Sequence, residues 1–68
     1  MTQEATWNGM RLRQIRKQRG WSQGELSRQS GVSRSYITEL ERGSKTPTRR
    51  VALVIAMTLD VDLDELYS

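Results

Sequence analysis

The sequence predicts an all-α domain of five short helices packed around one compact core. Three observations support this fold class. Apolar residues recur three or four positions apart in successive short segments, which is the period of an amphipathic helix. Ser, Thr, Asp or Asn precedes these segments and Gly often follows them, as is typical of helix ends. No segment alternates apolar and polar residues as a half-buried strand does, and 68 residues suffice for one domain.

Each predicted helix has local start or stop signals. The predicted helices run from about Asn8 to Gln18, from Gln23 to about Gln29, from Arg34 to Arg42, from about Thr48 to Leu59, and from Asp62 to about Tyr67. Ser22 with Glu25, and Asp62 with Glu65, have the spacing of a capping box, in which each side chain bonds the backbone N–H of the other residue. We therefore expect a capping box at the start of the second and of the fifth helix.

The segment before the first helix shows no periodicity. We expect residues 1–6 to form a flexible N-terminal arm and residues 7–68 to form the domain. Trp21 is predicted to cover the core between the first two helices. For Trp7 two placements remain open, one beneath the fifth helix and one in solvent.

The composition excludes several classes of function. The chain has neither Cys nor His, which rules out disulfides, Cys/His zinc sites, thiol nucleophiles and His-based acid–base catalysis. We therefore expect no enzyme activity, no metal and no cofactor. No stretch approaches the roughly 20 apolar residues that span a bilayer, and the N-terminus lacks a signal-peptide pattern. The expected location is the cytoplasm, in association with the nucleoid, and no membrane partner is expected.

Charge is distributed unevenly along the chain. All eleven Lys and Arg lie between Arg11 and Arg50, a stretch that contains only three Glu, whereas residues 60–68 carry four acids and no base. A basic body with an acidic end is typical of a protein that binds a polyanion on one face. The same charges would also serve simply to solvate helices, so charge alone leaves both interpretations open.

Residues 22–41 carry the most informative pattern, a helix-turn-helix. Two short amphipathic helices joined by a tight turn at Gly31 cannot each bury an apolar face alone, so they are expected to pack crosswise. Leu26, Ile37 and Leu40 then face inward, with Val32 beneath the turn. The second helix of the pair projects from the domain.

The outward face of this projecting helix is polar. It presents Arg34, Ser35, Thr38 and Glu39, with Tyr36 and Arg42 beside them. A helix about 10–12 Å across fits a DNA major groove about 12 Å wide, where Arg pairs with guanine and Glu accepts from the cytosine amino group. The alternative is a solvated helix face without function, but the neighbouring turn favours DNA binding.

Three segments together resemble a known family. LRQIRKQRGWSQGELS, SGVSRSYITELERG and PTRRVALVIAMTLDVDLDEL, which cover residues 12–27, 30–43 and 47–66, resemble the lambda-repressor-like, Cro/C1-type helix-turn-helix DNA-binding family. The resemblance implies a transcription regulator with that five-helix fold. Departures from the family pattern are Gly24 inside the second helix, Asp60 where a glycine is common, and Arg49 where an apolar residue is frequent.

The resemblance also implies roles for individual residues. It implies that Gln23 binds a phosphate and braces the first base-contacting residue, and that Arg16 and Glu41 form a largely buried structural salt bridge. Arg42 and Lys45 correspond to a phosphate-clamping end. The full predicted DNA-binding set is Gln23, Ser33, Arg34, Ser35, Tyr36, Thr38, Glu39, Arg42 and Lys45.

The fourth helix carries more apolar residues than one core-facing stripe requires. Val54 and Met57, and in part Leu53, fall outside that stripe, and with Leu63 and Tyr67 they are predicted to form a dimer interface. The alternative is ordinary scattered apolar surface. The resemblance favours the dimer, because the family commonly pairs through its C-terminal region.

The sequence therefore predicts a regulator, with repression the favoured role, that binds a near-palindromic operator in double-stranded DNA as a homodimer. Two alternatives stay open. One is an antitoxin or a restriction-modification controller built on the same fold, with a toxin or effector partner of unknown identity. The other is a protein-interaction module that has lost DNA binding.

Overall fold

The computed structural model describes residues 5–68 and contains four α-helices followed by one turn of 3-10 helix. The α-helices are α1 (Gly9–Gln18), α2 (Gln23–Ser30), α3 (Arg34–Arg42) and α4 (Arg49–Leu59), and the 3-10 turn is Leu63–Leu66. Across these residues the structure has no strand, and its only β-type pairing is an isolated bridge between Trp7 and Tyr67. The all-α class is confirmed. The predicted count of five helices is not confirmed as five α-helices, because the last element is a single 3-10 turn.

The last helix lacks its predicted cap. Asp62 makes no side-chain capping bond, so the expected capping box with Glu65 is absent. The backbone N–H of Glu65 instead donates to the Asp62 carbonyl at 3.0 Å, which closes a single tight turn. Tyr67 then leaves in extended conformation to pair with Trp7. The last helix therefore ends within one residue of its predicted end, and a long-range pairing follows it.

A polar side chain caps the start of each of the four α-helices. Side-chain oxygens of Asn8, Ser22, Ser33 and Thr48 each accept a hydrogen bond from the backbone N–H three residues later. Each such cap is worth about 1 kcal/mol relative to Ala. The capping box at α2 is only half formed, because Arg28 and Gln29 donate to the Glu25 carboxylate, and these bonds hold the pKa of Glu25 below its usual value.

Left-handed backbone conformations end the last three α-helices. Gly31 has φ 77° and Gly43 has φ 79°, a region that glycine occupies without steric cost. Asp60 occupies the same region with φ 59°. The resembled family commonly has glycine at this position, and Asp tolerates the left-handed conformation better than most residues. The sharp reversal at Gly31 sets α3 across α2. Ser27 fixes this turn, because its hydroxyl donates to the Val32 carbonyl at 2.6 Å.

One apolar core joins all the elements. Its fully buried large side chains are Leu12, Leu26, Ile37, Leu40, Ile55, Leu59 and Leu66. Trp21 and Val32 are half-buried and pack against this core, as expected. None of the helices between residues 5 and 68 is long and apolar enough to cross a membrane.

The two ends of the described chain are tied together. Thr6 and Ser68 exchange two backbone hydrogen bonds of 2.8 Å, and the Trp7 ring packs edge-on against Tyr67 with centroids 5.6 Å apart. The Trp7 indole N–H donates to the Leu40 carbonyl at 2.9 Å, near the end of α3. Of the two placements considered for Trp7, the structure has the buried one. Of the predicted arm, residues 1–4 lie outside the described residues, and Thr6 is paired rather than loose.

Candidate nucleic-acid interface

The projecting helix is α3, and its predicted contact residues differ in exposure. Ser33, Arg34, Ser35, Arg42 and Lys45 are exposed, whereas Gln23, Tyr36, Thr38 and Glu39 are half-buried. We call Arg34, Ser35, Thr38 and Glu39 the recognition face. Ile37 and Leu40 are fully buried on the opposite side, which holds the recognition face outward.

Tyr36 is placed differently from the rest of the predicted set. Its side chain packs against the hydrophobic core, although it also lines a shallow groove with Ser33, Ser35, Glu39 and Lys45. Its first structural role is therefore to cover the core beside α3. Only its outer edge is available for contact.

A buried ion pair anchors α3 to α1. Arg16 Nε lies 2.6 Å from Glu41 Oε2, and Arg16 Nη2 donates to Glu41 Oε1 at 3.0 Å, so the pairing is bidentate. The two side chains are only 8% and 5% exposed. Arg16 Nη1 donates in addition to the Trp21 carbonyl at 2.8 Å. The hydrogen bond to Glu41 raises the pKa of Arg16, which keeps this arginine charged despite its burial.

Gln23 extends the ion pair to the recognition face. Its amide Nε2 donates to Glu41 Oε1 at 3.0 Å, and its Oε1 accepts from the Thr38 hydroxyl at 2.9 Å. The resemblance implied that Gln23 braces the first base-contacting residue, without identifying that residue. In the structure the member of the recognition face that Gln23 contacts is Thr38.

Glu39 is also held in place. The Ser44 hydroxyl lies 2.7 Å from Glu39 Oε1 and 3.2 Å from the Glu39 carbonyl oxygen. The second carboxylate oxygen can accept a further hydrogen bond. Arg34 and Ser35, by contrast, are exposed at the first turn of α3.

A second shallow groove on the other side of α3 includes a residue that the sequence analysis missed. Met10, Arg13 and Arg42 line it, and Gln23 and Thr38 lie along it beside the ion pair. Arg13 is exposed on α1 and is three residues before Arg16, so the two share one helix face. That spacing was the available signal for a basic residue next to the predicted phosphate site.

Other arginines are used to hold the fold. The Arg19 guanidinium donates to the Leu59 carbonyl at the end of α4, Arg28 pairs with Glu25 at 2.7 Å, and Arg11 lies 3.3 Å from Glu65. The basic surface that remains around α3 is formed by Arg13, Arg34, Arg42 and Lys45, which are exposed.

The apolar patch on α4 is present on the surface. Met57 is 71% exposed and Leu53 is 45% exposed, with half-buried Val54 between them. Leu63 and Tyr67 are half-buried and pack mainly against the core. The patch is therefore centred on Leu53 and Met57, four residues apart on one helix face.

The chain is similar in sequence to known proteins over most of its length. Residues 12–66 match the sequence pattern of the helix-turn-helix family HTH_3. The chain belongs to the helix-turn-helix family. SlrR from Bacillus subtilis, a helix-turn-helix transcriptional regulator, is 40% identical over 60 residues, which are 87% of this chain and 40% of SlrR. SinR from the same organism is 36% identical over 59 residues, which are 85% of this chain and 53% of SinR. The chain thus spans about half the length of these two relatives or less.

Solved structures of helix-turn-helix proteins share this fold. The restriction-modification controller C.AhdI from Aeromonas hydrophila superposes with a TM-score of 0.82 at 40% identity, covering 85% of this chain and 88% of that one. SinR, solved in complex with DNA, superposes with a TM-score of 0.82 at 34% identity, covering 85% of this chain and 94% of that one.

Proposed function

We propose that this helix-turn-helix chain is a sequence-specific, double-stranded DNA-binding transcription regulator that places α3 in the major groove. The observation that carries the proposal is the exposed first turn of α3, with Arg34 and Ser35 outward, held rigid by the buried Arg16–Glu41 pair. A helix of this width fits the groove, and a rigid mount fixes which base edges its side chains meet. The related protein SinR, solved with DNA, supports the same assignment.

The contact residues divide into two roles. Arg34, Ser35 and Glu39 would contact base edges, because their polar groups lie on the outward face of α3. Gln23, Arg42 and Lys45 would bind phosphates, and Arg13 joins them from α1 because it lines the same groove as Gln23 and Arg42. Phosphate contacts fix position and orientation, whereas base contacts carry the sequence preference. The proposal assigns no catalytic step and no cofactor.

We also propose that two copies pair through α4. Arg49 and Arg50 occupy the first turn of α4 and Asp60 follows its last residue, so both ends carry charge of the sign that the helix dipole disfavours. Antiparallel packing of two α4 helices about a two-fold axis would set the arginines of one copy near the acidic end of the other. The same packing would cover Leu53 and Met57. An isologous dimer then matches a near-palindromic operator.

A second candidate function is control of a restriction-modification system. It is favoured by C.AhdI, of which this chain covers 88% at 40% identity. Both candidates use the same DNA interface and differ in the genes controlled. Locating the selected binding site in the DNA around the gene for this chain separates them, since a controller's site would precede restriction or modification genes.

The test is affinity for a site selected from random duplex DNA. Arg34→Ala and Ser35→Ala should each lose about 1–3 kcal/mol of binding free energy on that site while keeping the parent's thermal midpoint. Arg13→Gln should weaken binding to every sequence and lower the slope of log affinity against log salt by about one. Arg28→Ala is the control, because this arginine is exposed on α2 and paired with Glu25.

Two results would refute the proposal. One is parent-like affinity of both recognition-face variants on the selected site, which would remove α3 from the interface. The other is no mobility shift of the parent on any duplex at low salt, which would favour a protein-interaction module instead.

A further inference from the structure

The hydrogen bonds around Thr38 determine which chemical groups this residue can offer to DNA. We infer that Thr38 is a positioning residue for Gln23 and contacts a base through its methyl group, without donating a hydrogen bond. The inference rests on the proposed function, because it concerns how the recognition face discriminates bases. It follows from the number of hydrogens that Glu41, Gln23 and Thr38 have available for the hydrogen bonds that link their side chains.

The Glu41 carboxylate fixes the orientation of the Gln23 amide. An ionised carboxylate only accepts hydrogen bonds, so the group 3.0 Å from Glu41 Oε1 has to be the NH₂ of Gln23. The amide oxygen of Gln23 then lies 2.9 Å from the Thr38 hydroxyl. An amide oxygen has no hydrogen, so Thr38 is the donor in this contact.

Thr38 has one hydroxyl hydrogen and two internal acceptors that compete for it. Besides the Gln23 oxygen, the Arg34 carbonyl lies 3.1 Å from the Thr38 hydroxyl. Whichever oxygen takes the hydrogen, none remains for DNA. Thr38 therefore keeps only its lone pairs and its methyl group for contact with a base.

This restriction predicts the base that Thr38 favours. Guanine presents two acceptors, N7 and O6, in the major groove, and a residue that cannot donate has nothing to offer them. Thymine presents a methyl group, which packs against the methyl group of threonine. Thr38 should therefore favour thymine at one position of each half-site and disfavour guanine there.

The same bond gives Thr38 an effect on binding that is independent of sequence. With one amide hydrogen on Glu41 and the oxygen on Thr38, the second N–H of Gln23 is available in the groove that Arg13 and Arg42 also line. Loss of the Thr38 hydroxyl would release one of the two anchors of this amide. The phosphate contact of Gln23 would then weaken for every DNA sequence.

Two variants of Thr38 separate the methyl group from the hydroxyl. Thr38→Ser keeps the bond to Gln23 and removes the methyl group, whereas Thr38→Val keeps a methyl group and removes the bond. The probe is the selected site in which single thymines are replaced by deoxyuridine, which lacks only the C5-methyl group. Thr58→Val is the matched control. The Thr58 hydroxyl on α4 donates to the carbonyl oxygen of Val54, four residues earlier, at 2.7 Å, as the Thr38 hydroxyl can to that of Arg34.

The expected results differ between the variants. The parent should lose about fourfold in affinity on replacement of one particular thymine per half-site, the value of one buried methyl group, and Thr38→Ser should lose nothing further there. Thr38→Val should still distinguish thymine from uracil, yet bind selected and random DNA about two- to tenfold more weakly. Its salt slope should equal that of the parent, because the neutral Gln23 amide releases no counterion. Thr58→Val should keep the parent's affinity for both.

Three results would overturn the methyl contact, the positioning role or the proposed function, one each. If the parent binds its selected site but no thymine-to-uracil replacement affects it, the methyl contact is overturned. If Thr38→Val binds selected and random DNA with the affinity of the parent, the positioning role is overturned. A parent that binds no DNA at all would instead refute the proposed function.

Discussion

The Arg16–Glu41 pair is the buried contact that anchors α3, the helix proposed to bind DNA. Both side chains are buried, and Glu41 accepts hydrogen bonds from Arg16 on α1 and from Gln23 on α2. A charge removed from one partner leaves the other uncompensated in a medium of low polarity. The ion pair therefore connects three helices at the point where the recognition face is mounted.

Removal of one partner should destabilise the fold strongly. Arg16→Met and Glu41→Gln are each expected to lose about 3–5 kcal/mol of unfolding free energy, because each leaves the other buried group without its partner. For a domain of this size either loss approaches the total stability. The double variant should lose less unfolding free energy than the two single variants lose in sum. Thermal melts of all four proteins measure this, and equal midpoints would show that the pair contributes nothing.

Residue-scale roles were only partly predictable from the sequence. Caps at Ser22 and Ser33 depend on residues three apart, so local sequence suffices to predict them. The bond between Gln23 and Thr38 joins residues 15 apart, and the bond between Arg19 and Leu59 joins residues 40 apart. Such partners are chosen by packing geometry, which a single sequence does not encode locally.

Among the helices, Gly9 in α1 and Gly24 in α2 differ in whether the structure has room for a side chain. A Cβ on Gly24, within α2, would lie 3.7 Å from the Ser22 hydroxyl, which is ordinary van der Waals contact. A Cβ on Gly9, at the start of α1, would lie 2.1 Å from the Leu40 carbonyl oxygen and 2.7 Å from that of Glu41. Close packing of α1 on α3 thus requires glycine at position 9 but not at position 24.

The matched substitutions should therefore have opposite effects. Gly24→Ala should raise the free energy of unfolding by about 0.5–1 kcal/mol, since Ala has the higher helix propensity. Gly9→Ala should lower it by about 1–3 kcal/mol or more, because backbone atoms of α3 would have to move. At roughly 4–8 °C per kcal/mol, calorimetry resolves both shifts. A stabilising Gly9→Ala would contradict the close α1–α3 contact.

Elements were predicted well where their ends are local and poorly where they are not. The bounds of α3 match the prediction, and the observed starts and ends of α1, α2 and α4 lie within about one residue of it. The last element is a 3-10 turn rather than an α-helix, and the Trp7–Tyr67 bridge follows directly after it. That bridge joins residues far apart in sequence, so no local pattern predicts it.

The proposed assembly of the whole molecule is a dimer whose two copies meet through α4. Met57→Glu should favour monomers, because a charge placed in the apolar patch is costly to bury between two copies. Met10→Glu is the control, since Met10 on α1 is 65% exposed, close to the 71% of Met57. Sedimentation without DNA should give monomers for Met57→Glu and dimers for the parent and Met10→Glu. Dimers of Met57→Glu would place the interface elsewhere.

Base recognition by α3 and two-fold symmetry of the complex can be measured together, by parallel selection of binding sites from random duplex DNA with the parent and with Arg34→Ala. The parent sites should be near-palindromes with half-site centres about 10 base pairs apart. In the Arg34→Ala sites one guanine per half-site should lose its preference while the other positions keep theirs. Parent sites without symmetry would refute the dimer on DNA, and identical preferences in the two pools would refute base recognition by Arg34.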